Sequence, residues 1–267
     1  MDERLGQVRC FLLDMDGTVN LGDRLLPGVE TFFEVLRRQH KDYLFLTNNS
    51  SRHGRHYAEK MSRLGLPTPE SKVFTSGEAT ARTLAATRPD ARVFLLGTPE
   101  LRQDFVAQGI CLDDQSPDTV VLGFDTTLTY DRLWRMCDLV RAGLPFIATH
   151  ADLNCPTEDG FMPDVGSMLA LVETSTGRRP DLIVGKPNRL IVEVAAGKLG
   201  LPLEALAMIG DRLYTDIALG KTAGILTVLV LSGEARRDDL ADSPDLPDYI
   251  FENLGAVAEW LDRLPSD

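Results

Sequence analysis

Two aspartates separated by one residue follow the first apolar run of the chain, in the segment Asp14-Met15-Asp16-Gly17-Thr18. Carboxylates this close together repel each other and raise each other's pKa unless a cation or a basic group neutralises them. Gly17 lets the backbone bend sharply after the run, so both side chains can point into one crevice. An acidic turn of this kind can also be a helix cap or a solvated loop, so the pair needs support from elsewhere in the chain.

A second pair of carboxylates follows another apolar run later in the chain. Residues 205–210 are ALAMIG, Asp211 comes next, and Asp216 lies near the expected start of a helix. Oxygen ligands of this kind suit Mg²⁺, whereas histidine and cysteine would be expected around zinc. We therefore predict that Asp211 is a ligand of a divalent cation, while Asp216 either belongs to the same site or caps the helix.

Two further segments carry groups that can bind phosphate. Residues 47–51, TNNSS, follow the apolar run YLFL and offer hydroxyl and amide groups before a helix, and Lys186 stands between Gly185 and Pro187 ahead of another helix. Anions are favoured at helix N-termini, where backbone N–H groups point outward. Each segment alone could be an ordinary loop or a surface lysine. Together with the carboxylates they make a set suited to phosphoryl transfer.

The elements that would position these groups alternate between strands and amphipathic helices. Residues 8–14 (VRCFLLD) and 43–47 (YLFLT) are apolar enough for strands buried on both faces of a parallel sheet, and residues 29–39 have helical spacing. The alternation continues to ILTVLVL at 225–231. It predicts βαβ units and therefore an α/β fold. In such folds ligands bind beyond the carboxyl ends of the strands, where all four segments fall.

Composition narrows the classes of function. The chain has 267 residues, of which 43% are hydrophobic and 25% charged, and its formal net charge is −12. These fractions predict one or two globular domains, and the acidic balance argues against a nucleic acid as partner, because a phosphate backbone requires clustered lysine and arginine. No apolar run approaches the roughly 20 residues that span a bilayer. Four scattered cysteines predict buried, reduced thiols, which are typical of the cytoplasm. Together these features predict a soluble, cytoplasmic protein with no membrane partner.

The segments DMDGT, LTNNS, GKP and GDRLYTD, in this order, resemble the four motifs of the haloacid dehalogenase-like (HAD) hydrolase superfamily. Residues 148–188 resemble its NagD-like branch, whose relatives include 4-nitrophenylphosphatases, phosphoglycolate phosphatases and sugar phosphatases. The resemblance implies a Rossmann-like parallel-sheet core with a large α/β cap inserted between the second and third motifs. We expect the discontinuous core at 1–84 and 182–267 and the cap, which would set substrate specificity, at 85–181.

The resemblance also implies a role for each motif residue. Asp14 would be the nucleophile that forms an aspartyl-phosphate, and Asp16 would act first as general acid and then as general base. Mg²⁺ would be held by the Asp14 carboxylate, the Asp16 backbone carbonyl and Asp211. The other expected site residues are phosphate ligands (Thr47, the Asn48 backbone and Lys186), a residue that orients Lys186 or a metal-bound water (Asp216), and cap residues that face the substrate (His150, Asp152 and Asn154).

These roles predict a Mg²⁺-dependent phosphatase that hydrolyses phosphomonoesters of small metabolites, of the sugar phosphate, phosphoglycolate or nucleoside monophosphate type. Asp16 favours a phosphate ester over a halide, because a leaving halide needs no proton. Two alternatives stay open at this point. Phosphomutases share both aspartates, and a receiver-like signalling module also groups acidic residues, a threonine and a lysine around Mg²⁺. A homodimer is a further expectation from the family.

Overall fold

The computed structural model describes residues 4–157 and 160–264, which divide into two compact units. Among the described residues, the first unit comprises those up to Leu46, Ala58–Val73 and those from Pro187 onward, and the second comprises Thr47–Tyr57 and those from Phe74 to Lys186. The strands are β1 (Cys10–Leu13), β2 (Asn20–Leu21), β3 (Arg24–Leu25), β4 (Asp42–Thr47), β5 (Val73–Thr75), β6 (Arg92–Leu96), β7 (Cys111–Leu112), β8 (Thr119–Leu122), β9 (Phe146–Ala148), β10 (Asn154–Thr157), β11 (Gly160–Pro163), β12 (Leu182–Ile183), β13 (Leu206–Gly210), β14 (Leu226–Val230) and β15 (Tyr249–Phe251). The α-helices are α1 (Val29–Arg38), α2 (Gly54–Arg63), α3 (Ser76–Thr87), α4 (Pro99–Ala107), α5 (Tyr130–Arg141), α6 (Val165–Thr176), α7 (Leu190–Leu199), α8 (Ala218–Ala223) and α9 (Leu254–Asp262).

The main sheet of the first unit has the strand order β15-β14-β13-β1-β4-β5. The pairs from β15 to β4 are parallel. All four residues of β1 and all five of β13 are buried. A parallel strand that is apolar on both faces needs helices on both faces to keep it from water. The predicted α/β fold with a parallel sheet is therefore confirmed.

The register of the two central strands places their carboxyl ends side by side. Leu13 at the end of β1 pairs with Ile209 of β13, and Asp14 N donates to the Ile209 carbonyl at 2.9 Å. Asp14 and Asp211 therefore leave adjacent strands at the same edge of the sheet. This edge is the usual ligand side of an open α/β sheet.

The second unit has its own parallel sheet, in the order β12-β9-β8-β6-β7, and an antiparallel hairpin of β10 and β11. Its core is formed by inward apolar side chains of β6, β8 and β9 together with those of α5 and α6. Helices α3, α4, α5 and α6 each begin after a side-chain cap, which satisfies an N–H group that has no partner inside the helix. The capping residues of α3, α4, α5 and α6 are Thr75, Thr98, Thr129 and Asp164.

The predicted elements recur with small changes at their ends. The helix predicted at 29–39 spans 29–38, and the strand predicted at 8–14 spans 10–13. The helix predicted near 215–222 is a π-helical turn, Leu213–Ile217, followed by α8. The two compact units divide the chain at other positions than 84/85 and 181/182, and the core at 1–84 and 182–267 with the cap at 85–181 stays a prediction.

Two expectations about the cysteines and the membrane can be compared with the structure. All four cysteines are free thiols, but the expectation that they are buried is wrong for Cys111, which lies exposed on the short edge strand β7, and for Cys155, which is only half-buried. Within residues 4–157 and 160–264, no helix is long and apolar enough to cross a membrane.

Candidate active site

The turn after β1 brings the first acidic pair into the site region of the first unit. Three successive N–H groups, those of Thr18, Val19 and Asn20, donate to the Met15 carbonyl at 2.8–3.3 Å, so the chain reverses direction immediately after Asp14. Gly17 has a φ of +89°, a left-handed conformation that a residue with a Cβ adopts only with strain. The turn predicted from Gly17 is therefore present.

Asp211 lies buried at the carboxyl end of β13, and the chain closes around its carboxylate. Glu234 N donates to Oδ2 at 2.7 Å, and Thr18 Oγ1 donates to Oδ1 at 3.3 Å. A Cβ on Gly17 would lie 2.3 Å from Asp211 Oδ2, and a Cβ on Gly233 would lie 2.0 Å from the same atom. Both glycines are therefore required by the close approach of this carboxylate.

Asp216 is fully buried inside the π-helical turn that follows Asp211. Its Oδ2 accepts a hydrogen bond from Arg212 N at 3.1 Å. A Cβ on Gly210 would lie 2.3 Å from Asp216 Cγ, so the turn packs directly on the end of β13. The Asp216 side chain therefore lies at the end of β13 beside Asp211, and its role in the acidic site stays a prediction.

Asp14, Asp211 and Asp216 form one carboxylate cluster. One oxygen from each lies within 4.8 Å of the others, and Asp211 and Asp216 are buried while Asp14 is half-buried. Burial, followed by the charges of Asp14 and Asp216, raises the pKa of Asp211 to about 7. Three hard oxygen donors that repel one another fit a divalent cation of the Mg²⁺ type, which would relieve the repulsion.

A basic side chain lies beside this cluster. Arg212 Nε lies 3.0 Å from Glu234 Oε2, and Tyr214 Oη donates to Glu234 Oε1 at 2.8 Å. Burial lowers the pKa of Arg212, but the charges of Asp14, Asp211 and Glu234 outweigh it and raise the pKa above its ordinary value. Glu234 thus contacts Asp211 through its backbone and Arg212 through its side chain.

Asp16 differs from the clustered carboxylates in its exposure. Its side chain is 61% exposed, Asn20 Nδ2 donates to Oδ1 at 2.6 Å, and Lys60 Nζ lies 3.4 Å from the same oxygen. An exposed carboxylate held by two donors can reach a substrate and exchange protons with water. Sequence reasoning missed both partners, because Asn20 and Lys60 lie outside the motifs.

The predicted phosphate ligands belong to the second unit. Thr47, at the end of β4, is largely buried and its Oγ1 accepts from Asn49 N at 3.1 Å. Lys186 and Asn48 are both buried, and they are joined by hydrogen bonds through the Asn48 side chain. The structure thus brings together Asp14, Asp211 and Asp216 in one unit, and Asn48 and Lys186 in the other.

The predicted cap residues have different environments. His150 is fully buried, with Nε2 3.0 Å from Asp164 Oδ1 and Nδ1 3.0 Å from Thr149 Oγ1. Asp152 is half-buried and contacts Asn48, while Asn154 is exposed at the start of β10. Carboxylate oxygens of Asp152 and Asp164 also lie within 4.8 Å of a His150 ring nitrogen, but both ring nitrogens already have protein partners.

Comparison with known proteins agrees with the motifs. The model of the family described as haloacid dehalogenase-like hydrolase matches residues 11–111, and a second HAD-hydrolase-like model matches residues 183–257. Among curated relatives, 5'-nucleotidase YutF of Bacillus subtilis is 35% identical over 94% of this chain and 96% of the relative. An acid sugar phosphatase of Staphylococcus saprophyticus is 34% identical over 96% of this chain and 98% of the relative.

Solved structures extend the likeness to three dimensions. A 4-nitrophenylphosphatase from Thermotoga maritima superimposes with a TM-score of 0.93 at 50% identity, covering 96% of this chain and 98% of that one. NagD from E. coli K-12 superimposes with a TM-score of 0.86 at 30% identity, covering 93% and 97%.

The chain belongs to the haloacid dehalogenase-like hydrolase family, and the predicted NagD-like branch is confirmed. Within that family it is a phosphoric monoester hydrolase. The receiver-like alternative therefore loses its support.

Proposed function

We propose that this protein is a Mg²⁺-dependent phosphatase that hydrolyses phosphomonoesters of small metabolites through an aspartyl-phosphate on Asp14. The observation that carries the proposal is the cluster of Asp14, Asp211 and Asp216 at the carboxyl ends of β1 and β13 in a member of this family. Three acidic groups at the ligand edge of the sheet would repel a phosphate ester unless a cation accompanied it.

The chemistry assigned to the chain's own residues has two steps. A carboxylate oxygen of Asp14 attacks phosphorus, the phosphorus–oxygen ester bond breaks, and Asp16 donates its proton to the leaving oxygen. Asp16 then takes a proton from water, which attacks the phosphorus of the aspartyl-phosphate and releases inorganic phosphate and free Asp14. The exposure of Asp16 and its contact with Asn20 support this role, because the carboxylate is accessible and has a fixed position.

Asp14, Asp211 and the backbone carbonyl of Asp16 would hold Mg²⁺, with Asp216 beside them. The bound ion would supply positive charge that neutralises the cluster and attracts the phosphoryl oxygens. The donor set fits the ion, since the cluster consists of carboxylate oxygens, and burial together with the charges of Asp14 and Asp216 raises the pKa of Asp211.

The phosphate ligands proposed from the motifs are Thr47, the Asn48 backbone and Lys186. A hydroxyl, an N–H group and an ammonium would stabilise the charge that develops on the phosphoryl oxygens. We further propose that the core spans 1–84 and 182–267 and that the cap at 85–181 sets specificity. In the cap, Asp152 and Asn154 are the better candidates for contact with substrate, because His150 is enclosed by Thr149 and Asp164.

The proposed substrates are sugar phosphates, phosphoglycolate or nucleoside monophosphates. Support comes from relatives whose names specify a 5'-nucleotidase and an acid sugar phosphatase. Transfer to a sugar hydroxyl, as in a phosphomutase, remains the second candidate because that chemistry also uses both aspartates. A cytoplasmic location, with no nucleic-acid or membrane partner, is proposed from the net charge of −12 and the free cysteines.

The test is a panel of these phosphorylated metabolites assayed for phosphate release with Mg²⁺ and with excess EDTA. We expect release that requires Mg²⁺ and falls at least about 10³-fold in Asp14→Asn, as for loss of a catalytic nucleophile. Asp138→Asn, which changes an exposed aspartate paired with Arg141 on α5, is the matched control. Phosphate release by Asp14→Asn at the wild-type rate would contradict the proposal. Transfer of the phosphoryl group to an added sugar, without release of phosphate, would favour the phosphomutase.

A further inference from the structure

The side chain of Asn48 binds the backbone of Lys186. Asn48 Oδ1 accepts a hydrogen bond from Lys186 N at 2.8 Å, and Asn48 Nδ2 donates to the Lys186 carbonyl at 3.1 Å. Asn48 is only 5% exposed, so this amide is withdrawn from water. One side chain thus satisfies both backbone polar groups of a single residue, as a neighbouring strand would do in a sheet.

A third hydrogen bond fixes the orientation of the amide. Asn48 Nδ2 also donates to Asp152 Oδ1 at 3.0 Å. With oxygen and nitrogen exchanged, the amide oxygen would face both a carbonyl and a carboxylate, and its N–H₂ would face an N–H. The three partners therefore leave a single favourable arrangement, and they require an asparagine rather than an aspartate.

The amide acts where the regular ladder of the second sheet ends. Val184 N donates to the Ala148 carbonyl at 3.1 Å and Gly185 N donates to the Thr149 carbonyl at 2.8 Å, after which the next N–H is that of Lys186. A Cβ on Gly185 would lie 2.6 Å from Asn48 Oδ1, so this glycine permits the approach. Asn48 thereby extends the ladder by one residue.

The backbone of Asn48 is itself held in place. Ser76 Oγ, at the start of α3, donates to the Asn48 carbonyl. Two residues after Asn48, Ser50 Oγ accepts a hydrogen bond from Phe124 N at 2.9 Å and shares another with Thr149 Oγ1 at 2.9 Å. The segment that carries Asn48 is therefore anchored to α3, to the end of β8 and to the end of β9, and it offers Lys186 a rigid support.

We propose that Asn48 is a positioning residue that holds the backbone of Lys186, with Asp152 orienting its amide. This inference rests on the proposed function, in which the Lys186 ammonium binds a phosphoryl oxygen. A flexible lysine stem gains accuracy when its own backbone is immobile, and a misplacement of about 1 Å at a reacting group can cost about 10²-fold in rate. The role is separate from the phosphate contact expected from the Asn48 backbone, because it uses the side chain alone.

The kinetic test is a double-mutant cycle of Asn48→Ala and Lys186→Ala, with kcat/KM measured on 4-nitrophenyl phosphate. Asn48→Ala should lower kcat/KM by about 10- to 10²-fold in the wild-type background. In the Lys186→Ala background it should cost less than about 3-fold, because the group it positions is gone. Equal losses in the two backgrounds would show that Asn48 acts independently of Lys186 and would overturn the inference.

Two further variants separate this role from simple loss of structure. Asn48→Asp keeps the shape and the acceptor for Lys186 N, but it replaces the donor that faces the Lys186 carbonyl and Asp152, so it should lose at least as much kcat/KM as Asn48→Ala. Asn49→Ala is the matched control, since the amide oxygen of Asn49 accepts from Ser51 N at 2.9 Å. Its effect should be the same with and without Lys186→Ala. An Asn48→Asp protein with wild-type kcat/KM would contradict the inference.

A measurement that does not depend on activity completes the test. In the ¹⁵N-labelled wild-type protein the Lys186 amide proton should exchange slowly with solvent. Its exchange rate should rise at least about 10-fold in Asn48→Ala and stay unchanged in Asn49→Ala. Unchanged exchange in Asn48→Ala would overturn the inference even if activity fell. If the wild-type protein hydrolysed no phosphomonoester, the proposed function would fail, and the exchange of this one amide would still decide whether Asn48 holds Lys186.

Discussion

At the scale of single residues, the candidate site depends on three carboxylates that lie close together and repel one another unless a cation neutralises them. Asp14, Asp211 and Asp216 were predictable because each follows an apolar run or lies within a motif. Their supports were not, since Glu234 N reaches Asp211 from a loop 23 residues away and Thr18 reaches it across 193 residues. A hydrogen bond from a distant backbone group leaves no pattern in a single sequence.

The burial of Asp211 gives a prediction about stability and pH in the metal-free protein. Its pKa is raised in the folded state to about 7, whereas an aspartate in an unfolded chain has a pKa of about 3.9. The folded state therefore binds the proton more tightly, and the free energy of unfolding falls as pH rises from about 4 to about 7, by about 1.4 kcal/mol per unit of difference in pKa. Asp211→Asn should remove this loss and be more stable than wild type at pH 8.

Urea unfolding in EDTA at pH 5 and pH 8 checks this prediction. The stability gained by Asp211→Asn should be larger at pH 8, and added Mg²⁺ should stabilise the wild type but not the variant. Asp248→Asn is the control: burial raises the pKa of Asp248, but hydrogen bonds from Thr227 and Lys221 outweigh burial and lower it. Its difference from wild type should be constant over this range. A destabilised Asp211→Asn at pH 8 would show that the cluster is not under electrostatic strain.

At the scale of elements, the carboxyl ends of the strands and the turns that follow them position the carboxylates of the candidate site. β1 and β13 were predicted correctly because buried parallel strands are continuous apolar runs. The loop after β14 was not recognised as part of the site, since it carries no motif. Yet its Gly233 lies against Asp211 and its Glu234 N bonds the same carboxylate. Likewise, the π-helical turn at 213–217 could not be read from helical spacing, which predicted an ordinary helix.

Gly233 gives a prediction at this scale. A Cβ there would lie 2.0 Å from Asp211 Oδ2 and 2.4 Å from Asp211 Cγ, so Gly233→Ala must displace the carboxylate. We expect the Mg²⁺ concentration for half-maximal activity to rise by about 10- to 100-fold, as for loss of a group that orients a metal ligand. Gly197→Ala, on α7 with open space around it, should leave this concentration within about 2-fold. Activity titrations with Mg²⁺ measure both, and an unchanged value for Gly233→Ala would exclude this role for the loop.

At the scale of the whole molecule, the α/β class could be predicted from the alternation of apolar runs with helical spacing, while the bounds of core and cap stay a prediction. Residues 47–57 belong with the second unit. Thr98 Oγ1 donates to the Ser51 carbonyl at 2.8 Å, and Ser50 Oγ bonds Phe124 N and Thr149. These buried hydroxyl contacts involve small polar residues with no hydrophobic periodicity, so no pattern in the sequence revealed them.

The net charge of −12 also acquires a local meaning at this scale. Part of it is gathered in the Asp14, Asp211 and Asp216 cluster, where the proposed Mg²⁺ would make an acidic protein able to bind an anionic substrate. Other acidic side chains lie in ion pairs at the surface, such as Arg141 with Asp138 and Arg189 with Glu193, and these pairs add nothing to the net charge. Such exposed pairs contribute little to stability.

Mass spectrometry of acid-quenched reactions with 4-nitrophenyl phosphate detects the proposed aspartyl-phosphate on Asp14 directly. Asp16→Asn should slow turnover by about 10²- to 10⁴-fold. The leaving 4-nitrophenolate is stable without a proton, so this variant should still form the aspartyl-phosphate but hydrolyse it slowly. It should therefore accumulate one phosphoryl group on the peptide that contains Asp14, and Asp14→Asn should carry none. A phosphoryl group on a different residue, or turnover by Asp14→Asn, would show that Asp14 is not the nucleophile.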